Sequence, residues 1–547
     1  IPFIKVIILS KEISIQLSSS MSALPNFING EFVASSGTSS VPVVNPATGV
    51  ESSRVPCSTA GDVDAAVQAG QNAFKTWSKD VTIKQRTAIM LRFHALVVKH
   101  SNELAQMIVD ENGKNFGEAL ADVAKGNETV EWACSLPQLA PGRHLEVSRG
   151  ITCAEFRDPI GVVGCIVPFN FPVMVPLWTV PIALVMGNCV ICKPSEKVPA
   201  GVQRMAELFK EAGLPDGVFQ VVHGTAEAVT SLCKHPNIAA ISFVGSSKVG
   251  KIVTDLCNES NKRILALGGA KNHLIAVPDC DVGMAARDVV ASFAGCAGQR
   301  CMAASVLVLV DEGEGNNSVC DELLDTVVKV SGALMPGQKA GEVGPVVDAG
   351  ANARIRKYIA EAETRDGAQV LLDGRSWTGP AGCEGGNWIG PTILLHKSST
   401  DAAMQEEIFG PVLSVIRVST WQEAIAIENA NPYGNAACIY TERGAVAEWF
   451  TGRFRAGMLG VNIGIPVPRE PFSFGGMYGT LSKFGTSDIT GDGAMEFFSN
   501  RRKVTSKWSA SYGTSSTNQS ISAAKKSAEP ATKRMKVADA ANFDGKM

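Results

Sequence analysis

Apolar residues recur at helical spacing over Asp62–Ala73, Lys84–Val109 and Gly117–Cys134, which predicts three helices early in the chain. From Ile160 the pattern changes to short apolar runs separated by amphipathic stretches. It predicts strand Ile160–Val167, helix Ala200–Ala212, strand Phe219–Val222, helix Thr225–Cys233, strand Ile238–Val244, helix Ser247–Asn258 and strand Lys262–Leu267. Such alternation belongs to a doubly wound parallel sheet. A second α/β set begins at His273 and runs to about Pro468, with strands such as Ala304–Val310 and Val412–Arg417. No internal repeat is visible. The fold class is therefore α/β, with two Rossmann-like domains.

Residues 159–192 carry no charged side chain and are long enough to span a membrane. Pro168, Pro172, Pro176 and Pro181 break the run, and Asn170 and Asn188 interrupt it, so a spanning helix fits poorly. The better parse is a buried strand to Pro168, a loop over Phe169–Pro172, a buried helix Val175–Met186 and a strand Cys189–Lys193.

Composition narrows the class. Of 547 residues, 45% are hydrophobic and 19% charged, which suits a globular protein. The net charge of −3 gives no basic field for nucleic acid. Fourteen Cys are too sparse for a disulfide scaffold and suggest a reducing compartment. The near-neutral balance hides two unlike parts. From residue 509 on, Lys525, Lys526, Lys533, Arg534, Lys536 and Lys546 outnumber Glu529, Asp539 and Asp544, so the tail carries +3 and the rest −6. This tail is rich in Ser, Ala and Thr and reads as disordered. Its Pro530–Lys536 segment resembles a short nuclear-import signal, although a solubilising tail is the commoner case. At the other end, residues 1–20 contain no Arg, and Val6–Leu9 is too short for a signal-peptide core. They read as translated upstream sequence before Met21, or as the end of a truncated targeting sequence.

Among the fourteen Cys, Cys301 stands apart. It lies in Gly298-Gln299-Arg300-Cys301-Met302-Ala303, between helix Val282–Ala294 and an apolar strand. A thiolate at such a junction attacks electrophilic carbon, and Arg300 is the candidate cation to lower its pKa. Cys296 reads as packing. Cys189 and Cys192 form a C-x-x-C without a second ligand pair, so they read as core residues and no metal is expected. Asn170, held in Pro168-Phe169-Asn170-Phe171-Pro172, can donate an N–H to an oxyanion. The segment Gly245–Gly250 opens a helix after a buried strand, where phosphate can rest, but its G-x-x-x-x-G spacing is a weak dinucleotide signal by itself. Lys193 ends another strand, as a ribose ligand or a solvated charge.

Together PFNFP (168–172), CKPSE (192–196), FVGS (243–246), GQRC (298–301) and EEIFGP (406–411) resemble the aldehyde dehydrogenase superfamily over Asn26–Lys507. GQRCMA, GAKNH (269–273), PGRHLEVSRG (141–150), NIGIPVP (462–468) and FSFGG (472–476) are similar to its CoA-acylating methylmalonate-semialdehyde dehydrogenase branch. The resemblance implies that Cys301 is the nucleophile and Asn170 the oxyanion donor. It implies that Phe169, Lys193, Ser246, Glu407 and Phe409 bind NAD. Lys193 and Glu407 would hold ribose hydroxyls, Ser246 the pyrophosphate, and Phe409 would pack near the nicotinamide. Without the family, Glu407 would read as an ordinary surface carboxylate. The implied domains are NAD-binding, 22–143 and 162–272; catalytic, 273–486; and a small β oligomerisation ribbon, 144–161 and 487–508. Residues 1–21 and 509–547 fall outside them. Related enzymes pair through an extended segment near Leu145–Phe156 and a C-terminal strand near Ala494–Ser499, which implies a homodimer or homotetramer. A mitochondrial location follows from the same resemblance, with the cytoplasm as alternative.

One departure shapes the expected chemistry. Hydrolytic members carry a Glu two residues before a Gly-Gly pair, as base for the deacylating water. The candidate positions before the pair here are Leu267 and, one residue earlier, Ala266, neither of which accepts a proton. Water then deacylates slowly, and the CoA thiol becomes the expected acceptor. The implied reaction oxidises methylmalonate or malonate semialdehyde with NAD, loses CO2 and gives propionyl-CoA or acetyl-CoA. A carboxylated substrate needs cations, which the resemblance assigns to Arg300 and to Lys125. The branch usually has Arg at the latter position, and Lys keeps the charge but loses the bidentate fork. The competing readings are a hydrolytic aldehyde dehydrogenase and a non-catalytic binding protein that retains the fold.

Overall fold

The computed structural model of the protein describes residues 23–140, 142–311 and 318–508. The N-terminal extension, 1–21, and the basic tail, 509–547, lie outside the described residues.

Eight strands form one sheet, in the order Lys483–Phe484, Arg263–Leu267, Ile238–Val244, Val162–Ile166, Cys189–Lys193, Phe219–Val221, Asn26–Ile28 and Glu31–Val33. The middle five run parallel, and antiparallel strands finish both edges. Val162–Ile166 and Cys189–Lys193 are buried at every position, which explains their unbroken apolar runs and makes core residues of Cys189 and Cys192. From Val162–Ile166 the chain steps outward to Cys189–Lys193 and Phe219–Val221. It then returns to lay Ile238–Val244 on the opposite side of Val162–Ile166. This reversal opens a crevice at the C-terminal strand ends, between the loop at 168–172 and the turn at 245–246.

A second sheet has seven strands: Gln369–Leu372, Thr392–Leu395, Val412–Val418, Ala304–Val310, Asn272–Ala276, Ala436–Tyr440 and Met458–Val461. It is parallel except at the Gln369–Leu372 edge. A third orders Ser499–Lys507, Ile151–Pro159 and Arg143–Ser148. The described residues before Gly142, with Arg157–Arg501, make one compact unit that holds both large sheets. Gly142–Phe156 with the described residues from Arg502 make a second. In this small unit Leu145 sits opposite Cys153, and Leu145 and Val147 are exposed on the strand Arg143–Ser148.

The uncharged stretch folds as strand Val162–Ile166, loop, buried helix Met174–Val185 and strand Cys189–Lys193. Asn188 is fully paired within it. Its amide oxygen accepts the Ile160 N–H at 2.7 Å, and its Nδ2 donates to the Phe498 carbonyl at 2.9 Å. Among the described residues no helix is long and apolar enough to cross a membrane.

Two expectations need correction. The helix expected over Lys84–Val109 is two, Ile83–Lys99 and Ser101–Asn112, with His100 (φ −102°, ψ 16°) closing one and opening the next. Phe93, Val97, Leu104 and Ile108 enter one core from both helices, so the apolar rhythm carries across the break. The C-terminal strand expected near Ala494–Ser499 is instead a helix, Gly491–Phe497, followed by strand Ser499–Lys507. Ala494, Met495 and Phe497 are buried in the core beside the first sheet, whereas Asn500–Lys507 point largely to solvent.

Candidate active site

Helix Val282–Ala294 ends at Gly295, and the chain then passes through Cys296, Ala297 and Gly298 at φ values of 52°, 52° and 70°. Left-handed backbone at a non-glycine residue costs about 1–2 kcal/mol, so this turn needs bracing. The Glu118 carboxylate supplies it by accepting the Cys296 N–H at 2.7 Å. At Gly298 an added Cβ would stand 2.0 Å from the Gly410 carbonyl oxygen, so no side chain fits. Cys301 follows, half-buried. Its carbonyl accepts the Nδ2 groups of Asn272 and Asn435, each at 2.9 Å. Asn272 also donates to the Ala303 carbonyl at 2.9 Å and accepts the Ala436 N–H at 3.1 Å.

Arg300 does not activate Cys301. Its Nε lies 3.2 Å from the Cys296 sulfur, its Nη1 donates to the Ala291 carbonyl at 2.9 Å, and its Nη2 reaches Glu118 at 3.3 Å. The left-handed turn folds residues 291–296 beneath the guanidinium, so three of its N–H donors are committed there and none is recorded to the Cys301 sulfur. Burial accordingly pushes the Cys301 thiol up to about 12, and the Glu407 charge adds to the rise. Backbone N–H groups of Cys301 and Met302 oppose it.

A cavity of about 990 Å3 fills the crevice of the first sheet and is walled by Phe169, Asn170, Lys193, Ser246, Cys301, Glu407 and Phe409. These seven were separate expectations of the sequence, and the fold brings them together. Asn170 donates one N–H to the Gln299 carbonyl at 3.1 Å and keeps the other. Its loop is held on both flanks: the Phe169 carbonyl accepts Asn112 Nδ2 at 2.8 Å, and Lys114 Nζ lies 3.7 Å from the Phe171 ring centre. The Phe169 and Phe409 rings meet edge to face at 5.9 Å, with Phe409 at φ 54°. Lys193 is buried along its stem, and its Nζ sits 3.3 Å from a Glu196 oxygen. Ser246 caps helix Ser247–Glu259 without a side-chain bond, leaving the first-turn N–H groups for an anion.

Glu407 accepts the Ala270 N–H at 2.9 Å through one oxygen. A Cβ at position 269 would stand 2.3 Å from the other, so Gly269 is what lets the carboxylate lie there. Burial pushes this carboxyl up to about 7, against the pull of Lys271 and Arg354. A strand-end Lys, an open helix N-terminus and a carboxylate beside the sulfur form a donor set that fits a dinucleotide with its phosphates, ribose hydroxyls and reactive ring.

Ala266 and Leu267 are buried in strand Arg263–Leu267 and are not in the cavity wall. The carboxylates that do line it are Glu196, Asp348 and Glu407. Glu196 faces Lys193, and Asp348 is held by Lys197 at 2.5 Å.

Arg300 and Lys125 lie elsewhere. They share a cavity of about 390 Å3 with Glu118, Phe171, Met174 and Cys296. Arg300 also borders a void of about 10 Å3 that touches Cys301. Both cations are paired: Arg300 with Glu118, and Lys125 with Glu128 at 2.8 Å. Glu128 also binds Arg469. Cys296, read as packing, is buried but also faces Arg300. Among the described residues no cluster of His, Cys, Asp and Glu could hold a metal.

Asn272, Gln299, Asn435 and Glu118 escaped the sequence reading. Asn272 and Gln299 sat inside quoted motifs, GAKNH and GQRC, and a polar residue within an apolar run was the available signal. Asn435 and Glu118 gave none, because their partners are more than 130 residues away.

The model of the aldehyde dehydrogenase family matches residues 32–504. Malonate-semialdehyde dehydrogenase 1 of Geobacillus thermodenitrificans is 42% identical over 497 residues, covering 90% of this chain and all of that protein. Malonate-semialdehyde dehydrogenase of Lacticaseibacillus casei is 41% identical, covering 89% of this chain and 97% of that one. A crystal structure of a putative methylmalonate-semialdehyde dehydrogenase from Sinorhizobium meliloti complexed with NAD superposes with a TM-score of 0.87 at 36% identity, over 90% of this chain and 100% of that one. The methylmalonate-semialdehyde dehydrogenase of Oceanimonas doudoroffii gives 0.86 at 38% identity, over 90% and 99%.

Proposed function

The chain belongs to the aldehyde dehydrogenase family, and from that premise we propose that it oxidises malonate semialdehyde and methylmalonate semialdehyde with NAD, releases CO2 and delivers acetyl-CoA or propionyl-CoA. The observation that carries the CoA step is the apolar pair Ala266 and Leu267, buried in the sheet where a hydrolytic enzyme needs a carboxylate.

The Cys301 sulfur adds to the aldehyde carbon, and the free N–H of Asn170 stabilises the resulting oxyanion. NAD, when bound, supplies the acceptor for the hydride that leaves this carbon. Lys193 and Glu407 would hold its ribose hydroxyls, Ser246 and its helix N-terminus would hold its pyrophosphate, and the Phe169–Phe409 pair lies beside the sulfur as a wall against water. The acyl group remains on Cys301 as a thioester. Its β-carboxylate leaves as CO2, and the α-carbon takes up a proton. The CoA thiolate then attacks the thioester carbonyl and frees the Cys301 thiolate. With no carboxylate at 266 or 267 to activate water, the thioester survives until the thiol arrives. Arg300 and Lys125 supply the positive charge for the substrate carboxylate from their shared cavity.

Purified protein is expected to form NADH from malonate semialdehyde only when CoA is present. Rapid CoA-independent turnover sinks this reading. We also propose a homo-oligomer formed through the strand Arg143–Ser148, which exposes Leu145 and Val147 on a sheet edge; sedimentation of a Leu145→Glu, Val147→Glu variant tests it. A mitochondrial location rests on the family resemblance alone, and imaging a fusion of the full coding sequence tests it.

A further inference from the structure

Arg300 has five N–H donors. Three are committed: Nε to the Cys296 sulfur, one Nη1 hydrogen to the Ala291 carbonyl and one Nη2 hydrogen to Glu118. The guanidinium lies flat on Gly295, where an added Cβ would come within 2.4 Å of Nη1. Two N–H groups therefore remain for a ligand in the cavity that Arg300 shares with Lys125.

Glu118 lines the same cavity. One of its oxygens accepts both the Cys296 N–H and Arg300. The other is buried with no hydrogen-bond partner among the described residues. A carboxylate left half-satisfied beside a guanidinium cancels much of the positive charge that an anionic substrate meets, and it repels that anion as well. Within the proposed function, we propose that Glu118 is a specificity-determining positioning residue. It fixes Arg300 through the left-handed turn, and its charge weakens the grip of Arg300 on a carboxylated substrate. It acts through Arg300 and does no chemistry itself.

Glu118→Gln separates the two roles, because the amide oxygen can still accept from Cys296 and Arg300 while the charge is gone. KM for malonate semialdehyde is expected to fall about fivefold, the size of a partly exposed ion pair, with kcat within about twofold. The Kd of malonate, used as an unreactive probe and measured by calorimetry, should fall by the same factor. KM for acetaldehyde, which has no carboxylate, should stay unchanged. Glu118→Ala loses the acceptor too, so it should raise KM for both aldehydes. In an Arg300→Gln background the Glu118→Gln gain should vanish. If Glu118→Gln does not fold, Glu118→Asn, neutral and still an acceptor, is read by the same criteria. Unchanged malonate affinity, an equal shift for acetaldehyde, or a gain that persists without Arg300 overturns the inference. Failure of the wild-type protein to make NADH from malonate semialdehyde and CoA overturns the proposed function instead.

Discussion

The cavity that holds Cys301, Asn170 and Glu407 and the cavity that holds Arg300 and Lys125 are walled by different kinds of residue. In the first, Asn170, Lys193 and Ser246 end strands of the first sheet or follow them, whereas Cys301 and Glu407 stand on turns that lead into strands Ala304–Val310 and Val412–Val418 of the second, so strand ends deliver all of them to the crevice. In the second, the cations stand on a helix and a turn, and each already faces a carboxylate: Glu118 for Arg300, Glu128 for Lys125. The first is laid out by topology and the second is tuned by pairing. Substitutions should therefore be severe and indifferent to substrate charge in the first, and mild and charge-selective in the second.

Cys301→Ala gives the largest expected effect, loss of kcat by about 10^4-fold or more, with NAD binding retained by fluorescence quenching. Asn170→Ala should lower kcat by about 10^2-fold, as removal of an oxyanion donor does, equally for malonate semialdehyde and acetaldehyde. A tenfold gap between the two aldehydes would erase the contrast. For Glu407 to accept ribose hydroxyls as proposed, its carboxyl, pushed up to about 7, must be ionised. A raised carboxyl pKa means the acceptor form is lost as pH falls through 7, so NAD affinity should drop about tenfold per pH unit below that value. In Glu407→Gln the profile should be flat. With its thiol pushed up to about 12, Cys301 without cofactor should be alkylated by iodoacetamide at a rate still climbing at pH 9; a plateau below pH 8 would place a cation near the sulfur that the fold does not provide. The smallest effect belongs to the second cavity. Lys125→Arg should lower KM for malonate semialdehyde about two- to threefold by restoring a fork, leaving acetaldehyde unchanged.

The same contrast sets what could be read from the chain. Both sheets were legible because apolar runs mark strands, and Asn170, Lys193 and Ser246 end or follow those strands directly; Cys301 stood out by its local motif, while Phe169, Glu407 and Phe409 were assigned by the family resemblance. The break at His100 was not, since both helices feed one core at one rhythm. Nor was the orientation of Arg300. Adjacent to Cys301 in sequence, it is turned toward Cys296 by three consecutive positive φ angles and by Glu118, 182 residues away. Backbone handedness at Cys296 and Ala297 has no signature in residue type, and long-range ion pairs have none in spacing.

Asn272 ties the Cys301 and Ala303 carbonyls to the Ala436 N–H, and Asn435 grips Cys301 from a second strand end. A two-stage reaction asks one sulfur to meet two different visitors in succession, first an aldehyde and then another thiol. Anchored to neighbouring strands of the same sheet, that sulfur has a fixed address. The exchange between stages becomes a matter of traffic through the cleft rather than of any search by the loop.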